Sequence, residues 1–402
     1  MINVIGLGYI GLPTALMLAV HGQRVIGTDL SNELVSKLQN GEMTFDEAGI
    51  HDLFTHACEN GIEFTGDYKV ADHYIIAVPT PYDKRSKKVD SSFVENAFKK
   101  VLDVCPEGST IILESTVSPG TIDKRIRPLI NKHVHLVHAP ERIIPGNMIN
   151  ELMQNSRTIG ADDPKIGEEV KAIYSSFCQG EIVVTDIRTA EMTKVVENTY
   201  RDINIAFANE LAKICRSDDL DVYEIIRIAN KHPRVNILQP GPGVGGHCIS
   251  VDPWFLVGDY PGLANIVLAA RKINDSMPEF VLERIHTIMQ ENGIKDVSRV
   301  GLYGLTYKEN VNDVRESPTL QLLTCMKKHL ANGIKVYDPF IKDDIVENQF
   351  HNLDEFINSI DFVVIMVSHD EIIERMNDIN CVFILDTRNI FIESNRNKLY
   401  RL

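Results

Sequence analysis

The sequence predicts an α/β chain in three parts: a doubly wound α/β domain, an all-helical middle, and a second α/β domain. Three observations carry that expectation. Short apolar runs alternate with helical spacing over residues 1–186, the alternation stops over 187–293, and it returns over 294–402. Strands alternating with helices mean βαβ units and a parallel sheet. At roughly 100–200 residues per domain, a chain of 402 residues has room for two or three cores.

In the first part, residues 2–5, 24–28, 74–78, 110–113 and 134–138 read as strands. Residues 13–20, 33–40, 93–104 and 122–130 show helical spacing, and a helix at 164–177 with a strand at 181–184 ends the domain. From Thr189 to Arg216 there is neither Gly nor Pro, while Met192, Val195, Val196, Ile203, Ala206, Leu211 and Ile214 recur at helical spacing. One helix of about 28 residues, about 42 Å long, is expected there. A shorter helix at 222–230, a Gly/Pro-rich loop at 240–248 and a further long helix within 264–292 complete the middle part, which reads as a dimerisation core. In the last part residues 300–303, 335–337, 362–367 and 382–385 read as strands, with helices at 320–330 and 370–376. It echoes the first part: strand, glycine turn (Gly301, Gly304), helix, then a strand ending at Asp338.

Composition bounds the partners. With 41 Lys plus Arg against 56 Asp plus Glu, the formal charge is -15, which suits neither nucleic acid nor an anionic membrane surface. A small anionic ligand in a local basic pocket stays compatible. The 7 cysteines are an odd number, widely spread, without a C-x-x-C pair, so neither a disulfide framework nor a zinc site is expected. No basic segment precedes the first apolar run and no apolar run reaches 18 residues. A cytoplasmic protein is the expectation.

Gly6-Leu7-Gly8-Tyr9-Ile10-Gly11 follows the first strand directly and opens a helix. In that setting Gly6 makes the tight turn, Gly8 admits a pyrophosphate to the backbone, and Gly11 lets helix and strand approach closely. Asp29 ends the next strand, where an acid accepts hydrogen bonds from ribose hydroxyls and repels a 2′-phosphate, favouring NAD over NADP. The first domain therefore reads as a Rossmann domain. Thr80 and Thr116 place hydroxyls just past two further strand ends, the edge where ligands lie in open α/β sheets.

The reacting groups follow. Cys248 stands among Gly243, Gly245, Gly246 and His247, with Asp252 four residues on, and glycines leave backbone N–H groups and space around a sulfur. Lys194, Asn198 and Arg201 fall at i, i+4 and i+7 of the long helix, on one face. They are either a solvated stripe or donors for a developing oxyanion. Glu141 and Arg142 follow the strand at 134–138, as an ordinary ion pair or as a general base beside an anion-binding guanidinium.

Taken together, these segments resemble the UDP-glucose/GDP-mannose dehydrogenase family of nucleotide-sugar 6-dehydrogenases. The motifs that carry the resemblance are the turn from Gly6 to Pro13, Glu114-Ser115-Thr116-Val117, Pro140-Glu141-Arg142, Lys194 to Arg201, Gly243 to Cys248, and Tyr307-Lys308 with Arg315-Glu316-Ser317-Pro318. Residues 230–254 are similar to the branch of the family that acts on UDP-N-acetyl-D-mannosamine. UDP-N-acetylglucosamine or UDP-glucose would be the alternative sugars, and a β-hydroxyacid dehydrogenase a remoter one that needs neither Cys248 nor the third part.

The resemblance implies a four-electron oxidation of the sugar C6 alcohol to the uronate with two NAD, feeding surface polysaccharide synthesis. It makes Cys248 the nucleophile, Lys194 the acid/base and oxyanion partner, Asn198 its assistant, and Asp252 or Glu141 the activator of water. Arg142, Ile143, Arg201, Gly245, Tyr307 and Lys308 would contact the nucleotide sugar, and His232 and Arg234 would do so from the second subunit of a homodimer. Tyr9, Ile10, Asp29, Thr80, Thr116 and Arg315 would contact NAD, while the C-terminal Rossmann-like domain would hold UDP. One departure stands at residues 45–49, Phe-Asp-Glu-Ala-Gly, where relatives read Glu-Pro-Gly.

Overall fold

The computed structural model of the chain describes residues 1–45, 47–83, 88–328, 333–391 and 398–402. They fold as two compact units: Met1–Glu197 with Gly258–Pro261, and Asn198–Val257 with Gly262–Leu402.

The first unit runs β1 (Ile2–Ile5), α1 (Gly11–Val20), β2 (Val25–Thr28), α2 (Asn32–Gln39), α3 (Ile50–Glu59) and β3 (Glu63–Thr65). It continues through β4 (His73–Ile76), α4 (Ser92–Val104), β5 (Thr110–Leu113), β6 (His135–His138), α5 (Met148–Gln154), β7 (Arg157–Ala161), α6 (Pro164–Tyr174) and β8 (Ile182–Thr185). The eight strands form one sheet in the order β3-β2-β1-β4-β5-β6-β7-β8. All four residues of β1 and of β5 are buried, as strands covered by helices on both faces must be. Two expectations are corrected here. The sheet is not wholly parallel, because β7 pairs antiparallel with β6. The helix read at 122–130 is a π-helical turn over Ile122–Ile126 followed by a 3₁₀ turn over Arg127–Leu129, where Pro128 has no N–H to continue an α-helix.

Helix α7 (Ile187–Ser217) has 31 residues, longer than expected. After it come α8 (Val222–Ala229), α9 (Asp252–Asp259), α10 (Asn265–Asp275) and α11 (Met277–Glu291). The single long helix read within 264–292 is thus two. The break falls at Ser276, whose N–H closes the end of α10 onto Lys272 and Ile273, and Pro278 starts α11 in the first turn where it is tolerated.

The remaining elements are β9 (Val300–Tyr303), α12 (Pro318–Lys328), β10 (Lys335–Tyr337), β11 (Gln349–Phe350), α13 (Leu353–Asn358), β12 (Phe362–Ile365), α14 (Asp370–Glu374), β13 (Phe383–Asp386) and β14 (Lys398–Arg401). Residues 329 and 330 of the helix read at 320–330 lie outside the described residues. This sheet is parallel throughout, in the order β11-β10-β9-β12-β13-β14. Its core is shared with the helices before it: Ala208, Val222, Ile226, Val281 and Ile285 pack in one cluster with Val300 and Leu302 of β9.

The two sheets repeat one device. Asp29, past β2, accepts from the Leu7 N–H through Oδ2 (2.8 Å) and from the Ser31 N–H through Oδ1 (2.8 Å). Asp338, past β10, accepts from the Leu305 N–H through Oδ2 (2.6 Å) and from the Phe340 N–H through Oδ1 (2.8 Å). Each carboxylate clasps the glycine turn that follows the neighbouring strand.

Candidate functional site

The strand order of the first sheet aligns the expected ligand groups along one edge. Gly6, Asp29, Thr80, Thr116 and Glu141 follow the carboxyl ends of β1, β2, β4, β5 and β6, which are adjacent in the order β2-β1-β4-β5-β6. Strand order reverses between β1 and β4, the place where doubly wound sheets bind ligands. Gly6 has φ +90°, and a Cβ there would lie 2.6 Å from the Ala77 carbonyl oxygen; one on Gly11 would lie 1.9 Å from that of Gly6. Around Gly8 there is open space. Its backbone can therefore be approached, at the positive N-terminal end of α1. Tyr9 is exposed with its ring 4.6 Å from that of Phe45, Ile10 and Thr116 are half-buried, and Thr80 is buried. A clasped, open glycine turn with an acid at the next strand end fits a dinucleotide.

Glu141 is buried and fully engaged within its unit. Its Oε2 pairs with the Arg157 guanidinium, and its Oε1 accepts from the N–H groups of Arg142 (2.6 Å) and Ile143 (3.2 Å). Arg157, itself buried, also faces Glu114 at 3.3 Å and lies over the Tyr174 ring at 4.4 Å. Burial pushes the Glu114 carboxyl above its usual range against the attraction of Arg157. The Arg142 guanidinium pairs with Glu197 at 2.7 Å and donates to the Ser156 carbonyl (2.5 Å) and the Thr158 hydroxyl (2.8 Å). Ile143 is buried beside it.

On α7, Lys194 and Asn198 are buried and Arg201 is exposed, so the solvated-stripe reading fails for the first two. Asn198 Nδ2 donates to Asp252 Oδ2 at 2.6 Å. Asp252, buried, is the first residue of α9, and its N–H donates to the Cys248 carbonyl at 2.9 Å. Cys248 is half-buried in the turn that starts this helix. All seven cysteines are reduced; Cys105, Cys178, Cys215 and Cys381 are buried, and burial pushes the Cys381 thiol up to about 12.

The glycines before Cys248 are required by what packs on them. Gly243 and Gly246 have φ +142° and +85°, and a Cβ on Gly245 would lie 2.6 Å from the Tyr307 Cβ. The Gly246 N–H donates to the Arg315 carbonyl at 2.9 Å. Burial, then the negative charges of Asp313 and Cys248, push the Tyr307 hydroxyl up to about 12, so it stays a donor near neutral pH. The Arg315 guanidinium pairs with Asp313 at 2.6 Å. Lys308 is half-buried, while His232 and Arg234, past the end of α8, are exposed. The structure thus gathers Asn198, Asp252, Cys248, Gly245, Tyr307 and Arg315 in the second unit. Among the described residues no His, Cys, Asp and Glu cluster could hold a metal ion, and no helix is long and apolar enough to cross a membrane.

Several groups escaped the sequence reading. Arg157 sits on a strand absent from the sequence reading, and its polar neighbours Asn155, Ser156 and Thr158 give no apolar run to mark it. A cavity of about 430 Å³ in the second unit is lined by Asp221, Tyr223, Glu224, Arg227, Gln239, Arg388, Asn389 and Arg401. The Tyr223 hydroxyl is buried and unpartnered among the described residues. Arg388 lies two residues past β13, a position its place after an apolar strand could have flagged.

Comparisons with known proteins agree along the chain. Residues 1–178 match the NAD binding domain of the UDP-glucose/GDP-mannose dehydrogenase family, 188–276 its central domain and 301–393 its UDP binding domain. A UDP-N-acetyl-D-mannosamine dehydrogenase of Methanococcus maripaludis is 43% identical over 97% of this chain and 92% of its own length. The UDP-N-acetyl-mannosamine dehydrogenase of Staphylococcus aureus is 38% identical, with a TM-score of 0.89 over 100% of this chain and 98% of that one. A UDP-D-ManNAc dehydrogenase from Pyrococcus horikoshii is 33% identical, with a TM-score of 0.91 over 100% and 99%.

Proposed function

We propose that this chain, which belongs to the UDP-glucose/GDP-mannose dehydrogenase family, oxidises the C6 alcohol of UDP-N-acetyl-D-mannosamine to the carboxylate with two NAD per turnover. It is an NAD-dependent nucleotide-sugar dehydrogenase, and the names of its relatives support the mannosamine sugar. The observation that carries the two-step chemistry is the Asn198–Asp252 hydrogen bond at the turn bearing Cys248. Oxidation of an alcohol to an aldehyde alone needs no nucleophile; oxidation through to an acid does.

The glycine turn of Gly6, Gly8 and Gly11 would hold NAD, which would supply the hydride acceptor for both oxidations. Lys194 accepts the hydroxyl proton as the alcohol becomes an aldehyde. The Cys248 sulfur adds to the aldehyde carbon, and Lys194 and Asn198 stabilise the oxyanion of the thiohemiacetal. Loss of a second hydride leaves a thioester on Cys248. Water adds to its carbonyl, the C–S bond breaks and the thiolate departs. Asp252 is favoured over Glu141 to take the water's proton, because it opens the helix that starts at the Cys248 turn, while Arg157 neutralises Glu141. One alcohol, one water and two NAD⁺ give one carboxylate, two NADH and three protons.

Tyr9, Ile10, Asp29, Thr80, Thr116 and Arg315 are assigned to NAD. Arg142, Ile143, Arg201, Gly245, Tyr307 and Lys308 are assigned to the nucleotide sugar, with Arg388 and Arg401 supplying cations for its diphosphate. The division of labour is an NAD domain (1–186), a helical domain (187–293) and a UDP domain (294–402). A homodimer is supported by a stripe of exposed apolar side chains on α7: Val196, Tyr200, Phe207 and Ile214 are 47%, 63%, 48% and 53% exposed. His232 and Arg234 would then serve the partner subunit's substrate. Seven reduced cysteines support a cytoplasmic setting. The test is to count NADH per UDP-N-acetyl-D-mannosamine consumed. Two is the expected value; one, or inertness with brisk turnover of UDP-glucose, overturns the assignment.

A further inference from the structure

Residues 236–241, which lead into the Cys248 turn, belong to neither sheet, yet their backbone is hydrogen-bonded as a strand's would be. The partners are asparagine side chains. Asn204 on α7 accepts from the Leu238 N–H at 3.0 Å and donates to the Asn236 carbonyl at 2.8 Å. Asn230, at the end of α8, accepts from the Ile237 N–H at 2.8 Å and donates to the Ile237 carbonyl at 2.9 Å. Asn209 on α7 accepts from the Gly241 N–H at 2.9 Å. A primary amide offers one donor edge and one acceptor edge on a plane, so it can replace a peptide group of a neighbouring strand.

The direction of the Asn209 amide is fixed from behind. Asn209 Nδ2 donates to Asn274 Oδ1 at 2.8 Å, and Asn274 Nδ2 donates to Asp202 Oδ1 at 2.8 Å. Asp202, which also accepts from Arg271 Nη1 at 2.6 Å, is fully buried. An ionised carboxylate only accepts, so Asn274 must present its NH₂ to it. That turns the Asn274 oxygen toward Asn209, and the Asn209 oxygen toward Gly241. One buried charge sets the polarity of the relay. At the far end the Gly246 N–H is held by the Arg315 carbonyl, so Gly243 and Gly246 bend between two fixed ends.

We infer that Asn204, Asn209 and Asn230 are positioning residues that hold the Cys248 loop in register for the nucleotide sugar, with Asp202 setting the polarity of Asn209 through Asn274. The inference rests on Cys248 being the nucleophile. Two variants of the full-length chain test it. Asn204→Ala removes both bonds from a half-buried residue. The Leu238 amide should exchange its hydrogen at least about tenfold faster, and kcat/KM for UDP-N-acetyl-D-mannosamine should fall about tenfold, mostly through KM, with NAD binding unchanged. Asn230→Asp keeps the acceptor and loses the donor when ionised, but regains the donor when protonated. Its kcat/KM should be about tenfold below wild type at pH 8, and the gap should close as the pH falls toward 5. A structural defect alone would give no such recovery.

Unchanged exchange at Leu238 with wild-type turnover overturns the ladder. Faster exchange with wild-type kcat/KM and wild-type alkylation of Cys248 by iodoacetamide overturns the positioning role, as does an Asn230→Asp gap that does not depend on pH. If the wild-type chain oxidises no UDP-sugar, the functional reading fails while the exchange rates still decide the ladder.

Discussion

Replacing Arg157 by Met removes the guanidinium that faces two buried carboxylates, Glu141 and Glu114. The side chains of all three are at most 4% exposed, so water cannot take over the vacated role. Breaking a buried pair by removing one partner costs about 3–5 kcal/mol, because an uncompensated charge stays behind. That is about a fifth or more of the roughly 5–15 kcal/mol that holds a typical domain together. Burial already raises the Glu114 carboxyl, and without Arg157 it rises further in the folded state above its unfolded value. The folded form then binds protons that the unfolded form does not. Stability is retained below the unfolded carboxylate range and lost as pH rises through the raised folded value. Urea unfolding of the full chain, followed by circular dichroism and by NAD binding, should show a larger loss at pH 8 than at pH 5.5. Adding Glu141→Gln to Arg157→Met should restore part of it, a coupling of about 1–3 kcal/mol. A loss below about 1 kcal/mol, or an equal loss at both pH values, refutes the reasoning.

Cys248→Ala should abolish carboxylate formation while NAD titrates as in wild type; undiminished uronate by mass spectrometry would sink the covalent route. Gly11→Ala places a Cβ 1.9 Å from the Gly6 carbonyl oxygen, so NAD affinity measured by fluorescence should fall by about a hundredfold or more, and wild-type affinity would contradict the turn geometry. Tyr307 stays protonated to about 12, so the alkaline limbs of the wild-type and Tyr307→Phe rate profiles should coincide below about pH 10; an added limb near 9 in wild type alone would show otherwise. Tyr200→Glu with Phe207→Glu should convert a sedimenting dimer into monomer, and an unchanged sedimentation coefficient would rule out the α7 stripe as the interface.

Strand ends were the legible part of the site. Ile2–Ile5 and Thr110–Leu113 have the bounds that their apolar runs indicate, and Gly6, Asp29, Thr80 and Thr116 follow from where such runs stop. Periodicity cannot report what has no period. Arg157 is buried on β7, a strand, antiparallel to β6 and parallel to β8, whose charged first residue and following Thr158 mask its burial. The turn at 122–129 keeps helical spacing in its apolar residues while Pro128 alters its hydrogen bonding. Helices α10 and α11 share one apolar rhythm across a break that only Ser276 and Pro278 mark. Asn198 and Lys194 were visible as a spaced pair, but the meeting of Asn198 with Asp252, 54 residues on, is tertiary. The amides of Asn204, Asn209 and Asn230 act on backbone, which leaves no complementary residue type in the sequence to betray them.

The paired clasps of Asp29 and Asp338 separate the frame of a nucleotide site from its chemistry. Each carboxylate fixes its glycine turn through main-chain N–H groups, that of Leu7 in one sheet and those of Leu305 and Thr306 in the other, where Asp338 also meets the buried His369 ring. The Leu7 and Leu305 side chains take no part in either clasp. A chain that carries the module twice is free to let the copies drift, one toward a redox dinucleotide and the other toward a sugar nucleotide, while inheriting the same backbone in both.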